Sequence, residues 1–405
     1  MAGLVTGESI VNPDTKLTDV GINTLINRVS KIDPGSKTVT LADGDTLAYD
    51  KLVLGLGSTP IMPPITGRDL DGVFVLRSLD DAEAIRRFLT DKKPRKLAFV
   101  GAGFTSLELA VLLKHTDRDR EVTIIEVLDQ PLPTMLDHEL GGRVAECLTR
   151  KGIELRLKSR VEEILGHNGA VSAVKLDSGE VIEAQMLFMN AGAKPNVGLA
   201  EEAGLAMGEY GIKINEFLET SDPDILAAGD CADTKHFITG KPSPGALRGP
   251  AVIGGRMAAK RLAGYDMAFP GILNSCACSL VDLNIGATGF NEDQAKAEGF
   301  DPVSATVDSR TKHGMIPGAK PWTLKLVFDR DSRRLIGGQI VSEDIAPVKV
   351  IDTVAALILG RKTVEDITLF MAAGNPDCSS EPSMEPIAIA GEQVLQKLGS
   401  TQPTR

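Results

Sequence analysis

The sequence predicts an α/β chain: two doubly wound three-layer domains, the first incomplete at its N-terminal side, followed by an α+β domain of interface type. Three observations predict this. A strand, glycine turn, helix, strand and acid follow one another from Lys96 to Glu126. A β-meander unit occurs twice, at residues 28–60 and 160–195. Beyond Tyr265 the pattern changes to alternating strands and two amphipathic helices.

The first observation carries chemistry. Residues 96–126 read KLAFVGAGFTSLELAVLLKHTDRDREVTIIE. An apolar strand, Leu97 to Val100, runs into Gly101-Ala102-Gly103, and a helix apolar at Leu107, Ala110, Val111 and Leu113 follows. A second strand, Val122 to Ile125, ends on Glu126. This is the dinucleotide-binding βαβ pattern. Gly101 allows the tight turn. Gly103 lets backbone N–H groups approach a diphosphate at the helix N-terminus, where the helix dipole favours negative charge. Ser106 stands where a third glycine is usual. Glu126 follows Gly101 by 25 positions, near the expected ~20. A carboxylate there accepts ribose hydroxyls and repels a 2′-phosphate. Val127 and Leu128 offer no cation, so NADH is expected over NADPH.

The chain has 405 residues and a net charge of −11. That length calls for two or three domains, and the acidic balance argues against nucleic acid as a partner. The first residues, MAGLVTGES, carry no signal-peptide pattern. No apolar run approaches the ~18 residues of a membrane span. Five cysteines without a CxxC pair suggest a reduced, cytoplasmic setting. The histidines show no ligand spacing, so no metal is expected.

Each copy of the repeat has a strand, a turn, an alternating strand, a second turn and a further strand, and ends on an apolar strand entering Gly-x-x-Pro (Gly57 to Pro60, Gly192 to Pro195). In the second copy the glycine turn precedes Val161 by 60 residues. The matching valine of the first copy is Val29. The first copy is thus expected to lack its opening βαβ, which would lie upstream of Met1 or come from another chain.

The remaining elements follow in order. A short helix is expected over Asp80 to Leu89. The buried strand Ile225 to Ala228 ends on Gly229-Asp230, where α/β folds bind ligands. A helix is expected from Pro250 to Leu262. The last region should hold strands Ser275 to Leu280, Asn284 to Gly289, Thr323 to Phe328 and Leu335 to Val341, with helices Glu292 to Glu298, Pro347 to Gly360 and Pro386 to Leu398. The expected domains are residues 1–78 with 198–264, residues 79–197, and residues 265–405.

These motifs together (VGAGFTSLELA, YDKLVLGLGSTP, MNAGAKPN, TSDPDILAAGDCAD and ALRGPAVIGGRMAAKRLAG) resemble the FAD-dependent pyridine nucleotide–disulfide oxidoreductases. The likeness is greatest to the branch of NADH oxidases, coenzyme A-disulfide reductases and NADH:rubredoxin-type reductases. It implies FAD and NAD(H) as cofactors and a homodimer. Asp230, after Gly229, would accept from the flavin's ribityl chain. Leu247 and Arg248 would lie near the isoalloxazine edge, Val29 at adenine, Gly57 at the FAD diphosphate side and Gly192 near nicotinamide. Phe104 matches an aromatic gate over the flavin, and Glu108 belongs to the same helix pattern.

The family's first glycine-rich motif and the redox cysteine that follows it do not occur in the sequence, and GNPDCSSEPSMEP has Asn375 near the position of a reductase histidine. The residues present therefore do not support disulfide chemistry. Burial is the expected state of Cys147, Cys231, Cys276, Cys278 and Cys378, with Cys378 the best remaining thiol candidate. Trp322 is expected in the core or an interface. The function expected is hydride transfer from NADH to FAD, with electrons passing on to oxygen, a small disulfide or a carrier protein. Two alternatives stay open: an electron-transfer subunit of a larger complex, and a flavin-free NADH-binding relative.

Overall fold

The computed structural model describes residues 7–399, so the outermost ends of the first and last expected domains lie outside the described residues. The chain divides into two compact units. One comprises residues up to Pro63, Phe74–Lys93 and Ala191–Ile272; the other comprises Pro64–Val73, Pro94–Asn190 and Leu273 onward.

In the first unit the strands Val29–Asp33, Thr38–Leu41 and Thr46–Ala48 form an antiparallel meander. Leu52–Leu54 then pairs in parallel with Ile225–Ala227. Both are short and apolar, as expected of strands buried in a parallel sheet. Their core includes Ile32, Val39, Leu54, Ile212 and Ile225. The segment Ser58–Pro60 closes against Ala193–Pro195, so the last strands of the two repeats pair with each other.

The helix Leu79–Lys92 is longer than expected at both ends. Ser78 accepts from the Asp81 amide while Asp81 returns a bond to the Ser78 amide, a capping box that fixes its start. The helix over Arg248–Leu262 begins two residues before the expected Pro250. A proline is tolerated in the first turn because that N–H has no intrahelical acceptor.

In the second unit, parallel strands run in the order Met186–Met189, Lys96–Val100, Glu121–Ile125, Ile153–Arg156. Phe99 and Phe188, on adjacent strands, stack with ring centroids 4.5 Å apart. The second meander is Val161–His167, Ala170–Leu176 and Val181–Glu183. The C-terminal sheet is antiparallel, in the order Cys276–Ser279, Asn284–Gly289, Leu335–Ser342, Pro321–Asp329, Pro302–Arg310. All eight residues of Leu335–Ser342 are buried, so this central strand is covered on both faces. Trp322 lies in that sheet and is buried. The helix expected over Pro347–Gly360 is a 3₁₀ turn, Ala346–Lys349, followed by an α-helix, Val350–Leu359. The strand expected over Ser275–Leu280 spans only Cys276–Ser279. A helix at Val364–Thr368, capped by Thr363, was not expected.

One ionic cluster fastens this second unit. Lys325, on the strand Pro321–Asp329, is only 4% exposed and pairs with Asp137 at 2.9 Å, Glu292 at 2.9 Å and Glu139 at 3.1 Å. Gln339 donates from Nε2 to Asp137 Oδ2 at 2.7 Å and accepts the Asp137 amide at 2.7 Å. Burial disfavours the lysine's charge, but the carboxylates of Asp137 and Glu292 outweigh it and hold its pKa above the ordinary range.

Candidate functional sites

The glycine turn in the second unit is built as the sequence predicts. Gly101 has φ +92°, and a Cβ there would lie 2.7 Å from the Asn190 carbonyl oxygen. Only glycine combines that backbone with that close approach. Gly103 caps the helix Phe104–Thr116, and nothing lies within 4 Å of a Cβ built on it. A ligand therefore has access to the helix N-terminus. Ser106 is fully buried and its Oγ accepts from Asn190 Nδ2 at 2.8 Å. The hydroxyl that departs from the usual glycine is thus satisfied by the residue ending the neighbouring strand. Asn190 was not singled out from sequence. The signal was its place at the C-terminal end of a buried parallel strand.

Glu126 is 7% exposed rather than facing solvent. Its Oε2 accepts from the Ala102 amide at 2.7 Å and its Oε1 from the Leu128 amide at 2.9 Å. The carboxylate therefore fixes the glycine turn itself. Each oxygen keeps a lone pair, since a carboxylate offers about four acceptor sites. Phe104, first residue of the helix, is 38% exposed. Glu108, one turn on, accepts from the Ser279 amide at 3.0 Å, which ties this helix to the strand Cys276–Ser279.

The second candidate site lies in the first unit. Asp230 sits in a 3₁₀ turn, Gly229–Cys231, which follows the strand Ile225–Ala227 after the single residue Ala228. Its side chain is 9% exposed. Oδ2 accepts from Ser58 Oγ at 2.7 Å and from Arg77 Nη2 at 2.8 Å. Both bonds fall on one oxygen, and Oδ1 has no partner among the described residues. Ser58 and Arg77 were not identified from sequence. Ser58 lies within the GSTP turn, and Arg77 just before the helix cap at Ser78. Gly57 and Gly192 both take positive φ, +67° and +97°. Asn196 Nδ2 donates to the Leu56 carbonyl at 2.9 Å, and Ile61 N donates to the Gly192 carbonyl at 2.9 Å. Leu247 is the residue before the helix Arg248–Leu262, and Arg248 is its exposed first residue.

A cleft of about 730 Å³ adjoins this region, lined by residues that include Val29, Leu56, Thr59, Lys194 and Asn196. Its volume lies within the usual ~300–1,000 Å³ for small-molecule sites. Ser58 and Asp230 line a second cleft of about 370 Å³, and a carboxylate with one free oxygen there suits the hydroxyl donors of a flavin side chain, so the residues present fit FAD at its ribityl end. The Gly101 turn and Glu126 fit the diphosphate and ribose of NAD(H).

The thiols divide. Cys147, Cys231 and Cys278 are buried, Cys276 is half-buried and Cys378 is exposed, which corrects the expectation of burial for the last. Burial pushes Cys276 up to about 11. Burial, with the Glu108 charge beside it, also raises Cys278. Burial raises Cys147 and Cys231 as well. Such thiols stay protonated and are poor nucleophiles.

Comparison with known proteins identifies the family. Residues 6–248 match the model of the pyridine nucleotide-disulphide oxidoreductases, and residues 276–383 match the dimerisation domain of the same family. The NADH oxidase of Methanocaldococcus jannaschii is 33% identical, over 95% of this chain and 83% of that protein. The CoA-dependent NAD(P)H sulfur oxidoreductase of Pyrococcus abyssi is 34% identical, over 87% of this chain and 78% of that protein. The solved structure of an NAD-dependent persulfide reductase from A. fulgidus superposes with a TM-score of 0.88 at 32% identity, covering 95% of this chain and 70% of that one.

Proposed function

Because the chain belongs to the pyridine nucleotide-disulphide oxidoreductase family, it is an oxidoreductase that uses FAD and NAD(H), and we propose that it oxidises NADH and passes the electrons to oxygen or a small sulfur acceptor. The observation that carries this reading is the pair of sites. One is a dinucleotide turn locked by Glu126, and the other is the carboxylate of Asp230 with one oxygen uncommitted.

Bound FAD supplies the two-electron chemistry. The chain's residues bind and orient. Backbone N–H groups after Gly103 meet the NADH diphosphate, and Glu126 accepts its ribose hydroxyls. NADH is preferred to NADPH because Val127 and Leu128, both exposed, bring no cation to a 2′-phosphate. Asp230 Oδ1 would accept from the flavin side chain, while Ser58 and Arg77 hold the opposite oxygen. Val29 and the cleft it lines would receive the adenosine end of FAD. Gly57, Gly192, Leu247 and Arg248 would border the flavin, Phe104 at the start of the dinucleotide helix would be its aromatic gate, and Glu108 belongs to the same helix pattern.

The three-domain division given above fits this scheme, with residues 265–405 forming a homodimer contact. The dimerisation-domain match supports it. So do exposed Leu369 and Met371. No helix among the described residues is long and apolar enough to cross a membrane. Five unpaired cysteines support a reducing, cytoplasmic location. Of the four thiols raised by burial none suits attack on a disulfide, and exposed Cys378 is the thiol candidate that remains.

Steady-state NADH consumption by the FAD-loaded chain, run with oxygen, with polysulfide and with a small disulfide, tests the acceptor. Turnover with oxygen or polysulfide is expected. Turnover with none of the three contradicts the reading.

A further inference from the structure

In a chain of net charge −11, one cleft of the second unit is strongly basic. It encloses about 580 Å³ at the C-terminal ends of the helices Phe104–Thr116 and His138–Arg150. Lys114, Arg118, Arg150 and Lys151 line it, opposed by the single acid Asp282. Helix C-termini carry about half a negative charge each. Two such ends and Asp282 offset about half of the four cations, and the remainder is unneutralised.

The cations are of two kinds. Lys114 and Lys151 are held in place. Lys114 Nζ donates to the carbonyls of Arg118 at 3.0 Å and Arg120 at 2.5 Å, and Lys151 pairs with Asp282. Arg118 and Arg150 have no carboxylate partner among the described residues, and both are exposed. Two ammonium groups held in place beside two exposed guanidiniums, of which Arg150 also bonds Cys147, form an anion cradle, since guanidinium forks match phosphate oxygens.

A second observation points to the same place. Val281, on the wall of this cleft, has φ +72°. Leu280 O accepts from Asp282 N at 3.0 Å, so Val281 is the centre of a γ-turn with positive φ, a rare and strained form. A β-branched residue there is strained. Val281 is 48% exposed, so its own burial does not offset the strain. What the turn achieves is the placement of Asp282 against Lys151. Strain of this kind concentrates where a ligand is held.

We propose that this cleft binds a small anion carrying at least two linked phosphate groups, at a site separate from the dinucleotide turn. The volume exceeds that of one phosphate. Val111 and Val281 add apolar wall for an organic portion.

Titration calorimetry of the full chain with inorganic pyrophosphate, at low salt and with saturating NADH to occupy the dinucleotide turn, tests this. One further site is expected, weakening steeply as salt rises and binding inorganic monophosphate less tightly. An Arg118→Ser/Arg150→Ser variant should bind about tenfold or more weakly. Arg118→Lys/Arg150→Lys should recover part of the loss. Unchanged NADH binding in each variant verifies the fold. Hydrogen exchange with pyrophosphate should slow at residues 114–118, 150–152 and 280–283. Equal affinity in the serine variant, equal affinity for monophosphate, or no binding once NADH is present would each overturn the proposal.

Discussion

Asn190 donates from Nδ2 to Ser106 Oγ at 2.8 Å, while its carbonyl oxygen stands 2.7 Å from where a Cβ on Gly101 would fall. One residue at the end of the strand Met186–Met189 thus fixes both the turn and the helix that follows it. Gly101→Ala should therefore fail twice, through its positive φ and through collision with Asn190. We expect NADH affinity to fall by about tenfold or more, with a stability loss of about 1–3 kcal/mol, read by NADH titration and thermal denaturation.

Ser106→Gly, by contrast, restores the usual small residue but strands the Asn190 amide. The expected cost is about 1 kcal/mol of stability with little change in NADH affinity. A large loss of NADH binding would show that the hydroxyl, not the backbone, is what the dinucleotide meets.

Glu126 accepts two backbone amides, from Ala102 and Leu128. Glu126→Gln should keep the fold, lose part of the turn's rigidity and raise the NADH Kd by about tenfold, since a bond to a charged acceptor contributes about 1.5–3 kcal/mol. Glu126→Ala combined with Val127→Arg should bring NADPH affinity above NADH affinity. Competitive titration with both nucleotides measures it.

Much of this site was legible in the sequence. The strand, glycine turn and helix of residues 96–116 follow from local periodicity and from glycine's conformational range, which a single sequence displays. The repeat was legible for the same reason, and the two meanders form as expected. Partners contributed from a distance were not. Asn190 reaches Ser106 across 84 positions, and Ser58 reaches Asp230 across 172. Nothing local to Ser58 or Arg77 marks them as ligands of a carboxylate. The cluster around Lys325 was likewise hidden. Asp137 caps the helix His138–Arg150, Glu139 lies in its first turn and Glu292 opens another helix, and nothing local marks the three as partners of Lys325.

That cluster makes a prediction about pH. The pKa of Glu292 is held below the usual carboxyl range: burial opposes this, but the Ser304 hydroxyl and Lys325 outweigh it. Its contribution is full above the unfolded carboxyl pKa, about 4.3, and is lost as pH falls through the lower folded value. The Lys325 contribution runs the other way. It is full below the unfolded lysine pKa, about 10.4, and is lost as pH rises through the raised folded value. Lys325→Met leaves three carboxylates uncompensated and should cost about 3–5 kcal/mol near neutrality. Protonation relieves their repulsion, so the deficit should narrow as pH falls toward 4. Thermal melts of both proteins across pH check this, and a deficit that widens in acid contradicts it.

Asp230→Ala removes the acceptor for the flavin side chain and should abolish flavin retention on gel filtration. Arg77→Ala leaves Ser58 as the remaining partner of Oδ2 and should weaken retention without abolishing it. The two variants should melt within about 1 kcal/mol of each other in the absence of flavin, because Arg77 is 48% exposed and such ion pairs contribute little.

The most direct test of NADH oxidation through FAD is the visible absorption spectrum of the purified 405-residue chain, recorded with FAD before and after anaerobic NADH. The account predicts protein-bound flavin bands that bleach with NADH and return when oxygen or polysulfide is admitted. A chain that stays colourless after incubation with FAD, or bound flavin that NADH leaves unbleached, would contradict it.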